Sequence, residues 1–141
     1  MSLIMGAKTA LKLIKPHRCR VLYQILVDSL IIGDIELDHI AWRSGEAELK
    51  IEIYDNKWHG HGYGTDAVTA LLNHAFLTMN LNRVYLRVHA TNEIALRCYE
   101  KAGFKKEGRL QRLTEQNGEE EIFLMGINKE KFVKQIHPWA V

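Results

Sequence analysis

The apolar positions of this chain recur every second residue, then at three and four, then every second residue again, and each change of period marks an element. Residues 21–27 and 30–40 are rich in β-branched and aromatic side chains on either side of Asp28-Ser29, the composition of an antiparallel hairpin and its turn. Residues 47–54 alternate, with Leu49, Ile51 and Ile53 on one face and Glu48, Lys50 and Glu52 on the other, as a strand buried on one side must. Across residues 65–79, Ala67, Val68, Leu71, Leu72, Ala75, Phe76 and Met79 form a single stripe on a helix of about four turns. Thr65 and Asp66 suit its start, and Asn80-Leu81-Asn82 its stop. Residues 83–89 return to a strand, and a second helix runs from Thr91 or Asn92 to a left-handed stop at Gly103. Residues 104–110 and 121–127 read as two strands around a turn at Gln116-Asn117-Gly118, and residues 129–135 as a short charged helix. Residues 6–16 read as one short strand or helix.

Because a helix separates residues 47–54 from 83–89, those two strands are expected as parallel neighbours in a right-handed crossover. The fold class is therefore α/β with a mixed sheet: an antiparallel hairpin leading into a parallel βαβ core, then further C-terminal strands. At 141 residues with 47% hydrophobic content, the chain suits one domain over residues 1–141. A net charge of +2, with Lys and Arg interleaved among acids, gives no basic track for nucleic acid. Cys19 and Cys98 lie far apart, and neither a signal peptide nor an apolar run of about 18 residues stands in the sequence. A reduced, cytoplasmic protein without a membrane span is the expectation.

Candidate chemistry concentrates in Trp58-His59-Gly60-His61-Gly62-Tyr63-Gly64-Thr65, between a strand and a helix. The first amides of a helix lack intrahelical partners and carry the positive end of its dipole, so a glycine loop entering it can wrap an anion. A plain turn is the bland alternative. Gly62-x-Gly64-x-x-Ala67 satisfies the dinucleotide fingerprint, but the next strand, Val84-Tyr85-Leu86-Arg87-Val88-His89, lacks the ribose-binding acid. Gly64-Thr65 also lacks the lysine of a P-loop. What remains is a phosphate-containing cofactor held by backbone amides. On the second helix Asn92 and Tyr99 are two turns apart, sharing a face with Ala95 between them.

Gly60-His61-Gly62-Tyr63-Gly64-Thr65-Asp66-Ala67, followed by Asn92-x-x-Ala95-x-x-x-Tyr99-Glu100-Lys101-x-Gly103-Phe104, resembles the acetyl-CoA-binding core of the GNAT N-acetyltransferases. With Glu107-Gly108 and Ile122-Phe123-Leu124-Met125 the likeness is greatest to the ribosomal-protein N-terminal acetyltransferase branch, over residues 23–127. The resemblance implies acetyl-CoA as cofactor, with the amides of residues 59–65 on its pyrophosphate and the pantetheine arm paired near Ile51 and Ile53. His59 stands where the family usually has Gln or Arg. Asn92 would bond the pantetheine or neighbouring backbone, Tyr99 would protonate the leaving thiolate, and an amide near Ile53 or Tyr54 would hold the oxyanion. No covalent intermediate is implied, so Cys98 need not be a nucleophile.

The general base is less defined. By the same resemblance, Arg87 stands where relatives that acetylate ribosomal-protein N-termini carry a glutamate, which leaves Glu52 first and His89 second, each through water. His59-x-His61 has no third ligand at useful spacing, so no metal is expected. GNAT domains usually place a strand and two helices before the hairpin, and only about 20 residues precede Val21 here; most of that unit is expected to be missing. The acceptor cleft is then open or completed by a second subunit, and a homodimer is expected. The function read from this is acetyl transfer to a primary amine, foremost a peptide N-terminal α-amine. The alternatives are a polyamine or other small amine, drawn by Glu46, Glu48 and Glu52, and an acyl-CoA-binding module without turnover.

Overall fold

In a computed structural model that describes residues 3–116 and 118–136, the first two strands are β1 (Leu3–Met5) and β2 (Ala10–His17). The chain continues through β3 (Arg20–Val27), β4 (Leu30–Ala41), β5 (Glu46–Ile53), a 3-10 turn at Asn56–Trp58, and α1 (Tyr63–Leu77). It closes with β6 (Arg83–His89), α2 (Glu93–Ala102), β7 (Lys105–Thr114), β8 (Gly118–Asn128) and α3 (Lys129–Ile136). All eight strands join one sheet in the order β1-β2-β3-β4-β5-β6-β8-β7. Among the described strands only β5 and β6 pair in parallel, as the helix between them requires.

The elements ahead of β3 differ from expectation. Residues 6–16 supply most of β2, which with β1 extends the sheet by two antiparallel strands. The strands after α2 run longer than their apolar pattern suggested, because β7 is exposed along nearly its whole length and offers no periodicity to read. In the turn expected between them, Asn117 lies outside the described residues. The first helix starts at Tyr63, two residues earlier than expected, behind Gly62 in the left-handed conformation at φ 79°. Asp66 does not cap it, because its carboxylate is taken up by residues 7–9.

Side chains from alternate strand positions, among them Ile25, Ile35, Leu37, Leu49 and Leu86, form one apolar cluster with Leu71, Leu72 and Phe76 of α1, Leu96 of α2 and Phe132 of α3. The rings of Phe76 and Phe132 lie 5.4 Å apart, so α3 docks on α1. All three helices thus cover the same sheet face. The other face carries Asp34, Glu36, Lys50, Glu52 and Arg87, and no described helix covers it. Among the described residues no helix is long and apolar enough to cross a membrane.

Candidate active site

The parallel pairing of β5 with β6 is short. It joins Glu46, Ala47 and Glu48 to Arg83, Val84 and Tyr85, and beyond that point the strands part. In the antiparallel register with β4, the Tyr54 amide donates to Ile32 O at 2.9 Å, so at alternate residues the amide and carbonyl of Ile53 and Ile51 point away from β4. They face the gap that β6 has vacated. A cleft of about 680 Å³ opens there, lined by Ile51, Glu52 and Ile53 on one side and by the glycine loop and α2 on the other.

None of the six consecutive amides from Gly60 to Thr65 has a hydrogen-bond acceptor among the described residues. Gly60 and Gly62 both stand at φ 79°, a left-handed conformation that other residues adopt only with strain. Aromatic contacts hold the loop in shape: Trp58 meets Tyr63 edge-on at 6.0 Å, and the His61 ring lies 5.6 Å from Tyr63. A run of free donors at a helix N-terminus is an anion cradle.

Asn92 caps α2, its Oδ1 accepting from the Ala95 amide at 3.2 Å, which leaves its NH2 group for the cleft. Gly103 ends the helix in the left-handed region at φ 109°. Tyr99 is only 7% exposed, and burial pushes its phenol well above the ordinary value. Its hydroxyl makes no hydrogen bond among the described residues, yet no fully buried polar side-chain atom there lacks a partner, so the hydroxyl is open to the cleft it lines. Cys98 packs under the loop, where a Cβ on Gly64 would come 3.4 Å from its sulfur. Burial raises its thiol as well, outweighing the hydrogen bond with Thr65, so it is a poor nucleophile.

The polar face of the sheet meets the cleft at Glu52. Asp34 stands directly opposite on β4 and accepts from the Tyr54 hydroxyl at 2.7 Å, which pushes that phenol up to about 12. Glu52 itself has no ion pair or hydrogen bond among the described residues. At the point where β5 and β6 part, Glu48 is 3% exposed and bound by Arg87 at 3.0 and 3.3 Å, with His39 Nδ1 at 3.4 Å. His39 sits on a bulge of β4 at φ 51°. Among the described residues no three His, Cys, Asp or Glu side chains gather as a metal site.

Residues 6–105 match the family described as Acetyltransferase (GNAT) domain. The chain belongs to the GNAT acetyltransferase family. Over 80 residues it is 34% identical to the spermidine N(1)-acetyltransferase of Vibrio cholerae, covering 57% of this chain and 46% of that protein. Over 76 residues it is 36% identical to the corresponding enzyme of Escherichia coli K12, covering 54% of this chain and 39% of that one. An uncharacterized N-acetyltransferase, p20 of Bacillus licheniformis, is 31% identical over 81 residues, which is 57% of this chain and 45% of its own. The chain thus spans less than half the length of these curated relatives. The Vibrio cholerae spermidine N-acetyltransferase in complex with CoA and spermine superposes with a TM-score of 0.75 at 27% identity, covering 82% of this chain and 69% of that one. A dodecameric structure of the same enzyme gives 0.75 and 27%, covering 84% and 70%.

Within this GNAT domain the residues expected to bind cofactor fall into two groups. Ile51, Ile53, His59, Gly60, Gly62, Tyr63, Gly64, Thr65, Asn92, Ala95 and Tyr99 all line the one cleft, as does the base candidate Glu52. Tyr54 and His61 do not. The Tyr54 amide is spent on Ile32 and its ring, 54% exposed, turns to Asp34, so the oxyanion donor cannot be Tyr54. The His61 ring meets the Lys57 carbonyl at 3.1 Å, outside the cleft, so only its amide, which has no acceptor among the described residues, stays available to the loop. His89 is exposed on the sheet face and does not line the cleft.

Sequence reasoning passed over Arg97 and Lys101, which lie one turn apart on α2, line the cleft, and form no ion pair among the described residues. Their i, i+4 spacing was the available signal. It also took Arg87 as the loss of an acid. The structure gives Arg87 an acid of its own, Glu48.

Proposed function

We propose that this chain is an acetyl-CoA-dependent N-acetyltransferase whose acceptor is a cationic primary amine of the polyamine class. The observation that carries the acceptor reading is the Asp34–Glu52 pair: two carboxylates directly across from each other, with Glu52 on the cleft wall and unpaired. Like charges placed cross-strand disfavour the fold, so a site that keeps them suits a ligand that brings positive charge. The spermidine acetyltransferase relatives support the same class, and favour it over the peptide α-amine that the sequence suggested first.

The donor lies with its diphosphate on the amides of Gly60 to Thr65 and its pantetheine arm along Ile51 and Ile53, an added strand in the gap. An alkylammonium near pKa 10.4 is neutral in about one molecule per thousand at pH 7.4, a cost of about 4 kcal/mol, so this acceptor needs a base. Glu52 takes that proton through water. The neutral nitrogen attacks the thioester carbonyl, the Ile53 amide faces the oxyanion, and collapse expels the thiolate while the nitrogen's second proton leaves through water and neutralises the departing sulfur. Tyr99, kept protonated by burial, donates its hydrogen bond to the departing sulfur. The Glu48–Arg87 pair holds the two strands at the fork where the thioester would sit.

Homodimer formation belongs to the proposal too, since no described helix covers the acceptor face of the sheet. Light scattering of the purified chain tests it, and a monomer with full activity would count against it. Turnover is tested by CoA release from acetyl-CoA with spermidine, a monoamine and peptides bearing free N-termini. Spermidine should be the best substrate. Acetylation of peptide α-amines without spermidine turnover would return the assignment to protein N-termini, and CoA binding without any turnover would make the chain a binding module.

A further inference from the structure

The N-terminal turn is fastened to the glycine loop in a way that the donor site alone does not call for. The Asp66 carboxylate, in the first turn of α1, accepts from the amides of Ala7, Lys8 and Thr9 at 2.9, 3.0 and 2.8 Å and from the Thr9 hydroxyl at 2.7 Å. Gly6 closes the turn by donating to the Thr9 carbonyl at 2.8 Å, and a Cβ on it would run into the Asp66 carboxylate. This clip delivers one side chain to the loop: Lys8 Nζ donates to the His61 carbonyl at 3.0 Å. A Cβ on Gly62 would lie 3.1 Å from that same ammonium.

We propose that Lys8 is a positioning residue for the CoA diphosphate, held in place by the Asp66 clip. In a trans peptide the carbonyl and the following amide point in opposite directions, and the described chain has no cis bond. Lys8 holds the His61 carbonyl on the outer side of the loop, and the Gly62 amide is thereby turned to the side where Gly60, Gly62 and Gly64 line the cleft. The ammonium adds a full positive charge behind a cradle otherwise made of partial charges. Its hydrogen bond goes to a neutral carbonyl, and it has no carboxylate partner among the described residues, so its charge is left for the donor. Asp66 satisfies the N-terminal turn rather than the loop amides, which leaves those donors free.

This inference rests on the donor-site reading above, and calorimetric titration with free CoA separates the two. Lys8→Met keeps the aliphatic stem and removes the charge; it should weaken CoA binding about tenfold, with an unchanged melting temperature. The loss should shrink as salt is raised from about 50 to about 300 mM, and Lys8→Arg should recover most of the affinity. Asp66→Asn releases the clip and should weaken binding in the same way, with the double variant no worse than the weaker single one. A Lys8→Met affinity within about twofold of the parent, while Gly62→Val loses CoA, overturns the role of Lys8 and leaves the donor site standing. Full additivity of the two substitutions overturns the clip. A parent chain that binds no CoA, or a Gly62→Val variant that binds it normally, refutes the donor site itself.

Discussion

Replacing Glu52 by Gln should move stability and function in opposite directions. Glu52 and Asp34 are direct cross-strand partners, which places their Cβ atoms about 5 Å apart. Two unit charges at about 5 Å repel by about 0.8 kcal/mol in bulk water and by about 3 kcal/mol at an effective dielectric of 20. Glu52 is exposed and Tyr54 already draws on the Asp34 charge, so the watery limit is the better guide. Glu52→Gln should therefore stabilise the free protein by about 0.5 kcal/mol and raise the melting temperature by about 2 °C. On the proposed function, the same substitution removes one of the two carboxylates that would draw the polycation and the group that would take the proton. The KM for spermidine should rise about fivefold or more, falling back toward the parent ratio at high salt, and kcat should fall by about a hundredfold. A scanning fluorimetry melt and a steady-state CoA-release assay on spermidine and a monoamine read both effects. A lower melting temperature, or a spermidine KM that does not move, refutes the reasoning: in the first case Glu52 has a stabilising partner, in the second the cation binds elsewhere.

Tyr99→Phe should lower kcat by about a hundredfold while calorimetric CoA affinity stays within about twofold, since the ring still packs against Phe104 and only the donor to sulfur is lost; unchanged kcat would remove Tyr99 from the reaction. Burial lowers the pKa of His74 in the last turn of α1, so the folded state favours the neutral ring. Its stabilising contribution is complete above the ordinary value near pH 6.5 and is lost as pH falls from there through the lowered folded value, and His74→Gln should flatten this acid-side loss in urea melts. Phe132→Ala removes a fully buried ring packed at a tilt against Phe76 and should cost about 3–5 kcal/mol, read as a lower urea midpoint; a cost under about 1 kcal/mol would mean that α3 is not part of the core.

The donor half of the site was legible in the sequence because its signals are local. The alternation of Leu49, Ile51 and Ile53, the stripe from Ala67 to Phe76 and the glycines at 60, 62 and 64 each lie within a few residues of one another, and period and turn chemistry act at that range. The proposed acceptor half is made by register. Glu48 meets Arg87 and Asp34 meets Glu52 across strand pairs whose alignment depends on where β5 and β6 part and on how β4 is paired and bulged. A slip of one residue would turn every one of these side chains to the opposite face, and no local pattern reports such a slip. The same reasoning explains Tyr54, whose amide was an oxyanion candidate until the parity of the β4 pairing directed it to Ile32. Asp66 is read from its neighbours as a helix-start acid, and only the fold brings residues 7–9 to it from 57 to 59 positions away. Local sequence could therefore point to a phosphate-bearing donor and offer Glu46, Glu48 and Glu52 for a cationic acceptor, while the pairing of Glu52 with Asp34, on which the proposed polyamine reading rests, emerges only when two strands are laid side by side.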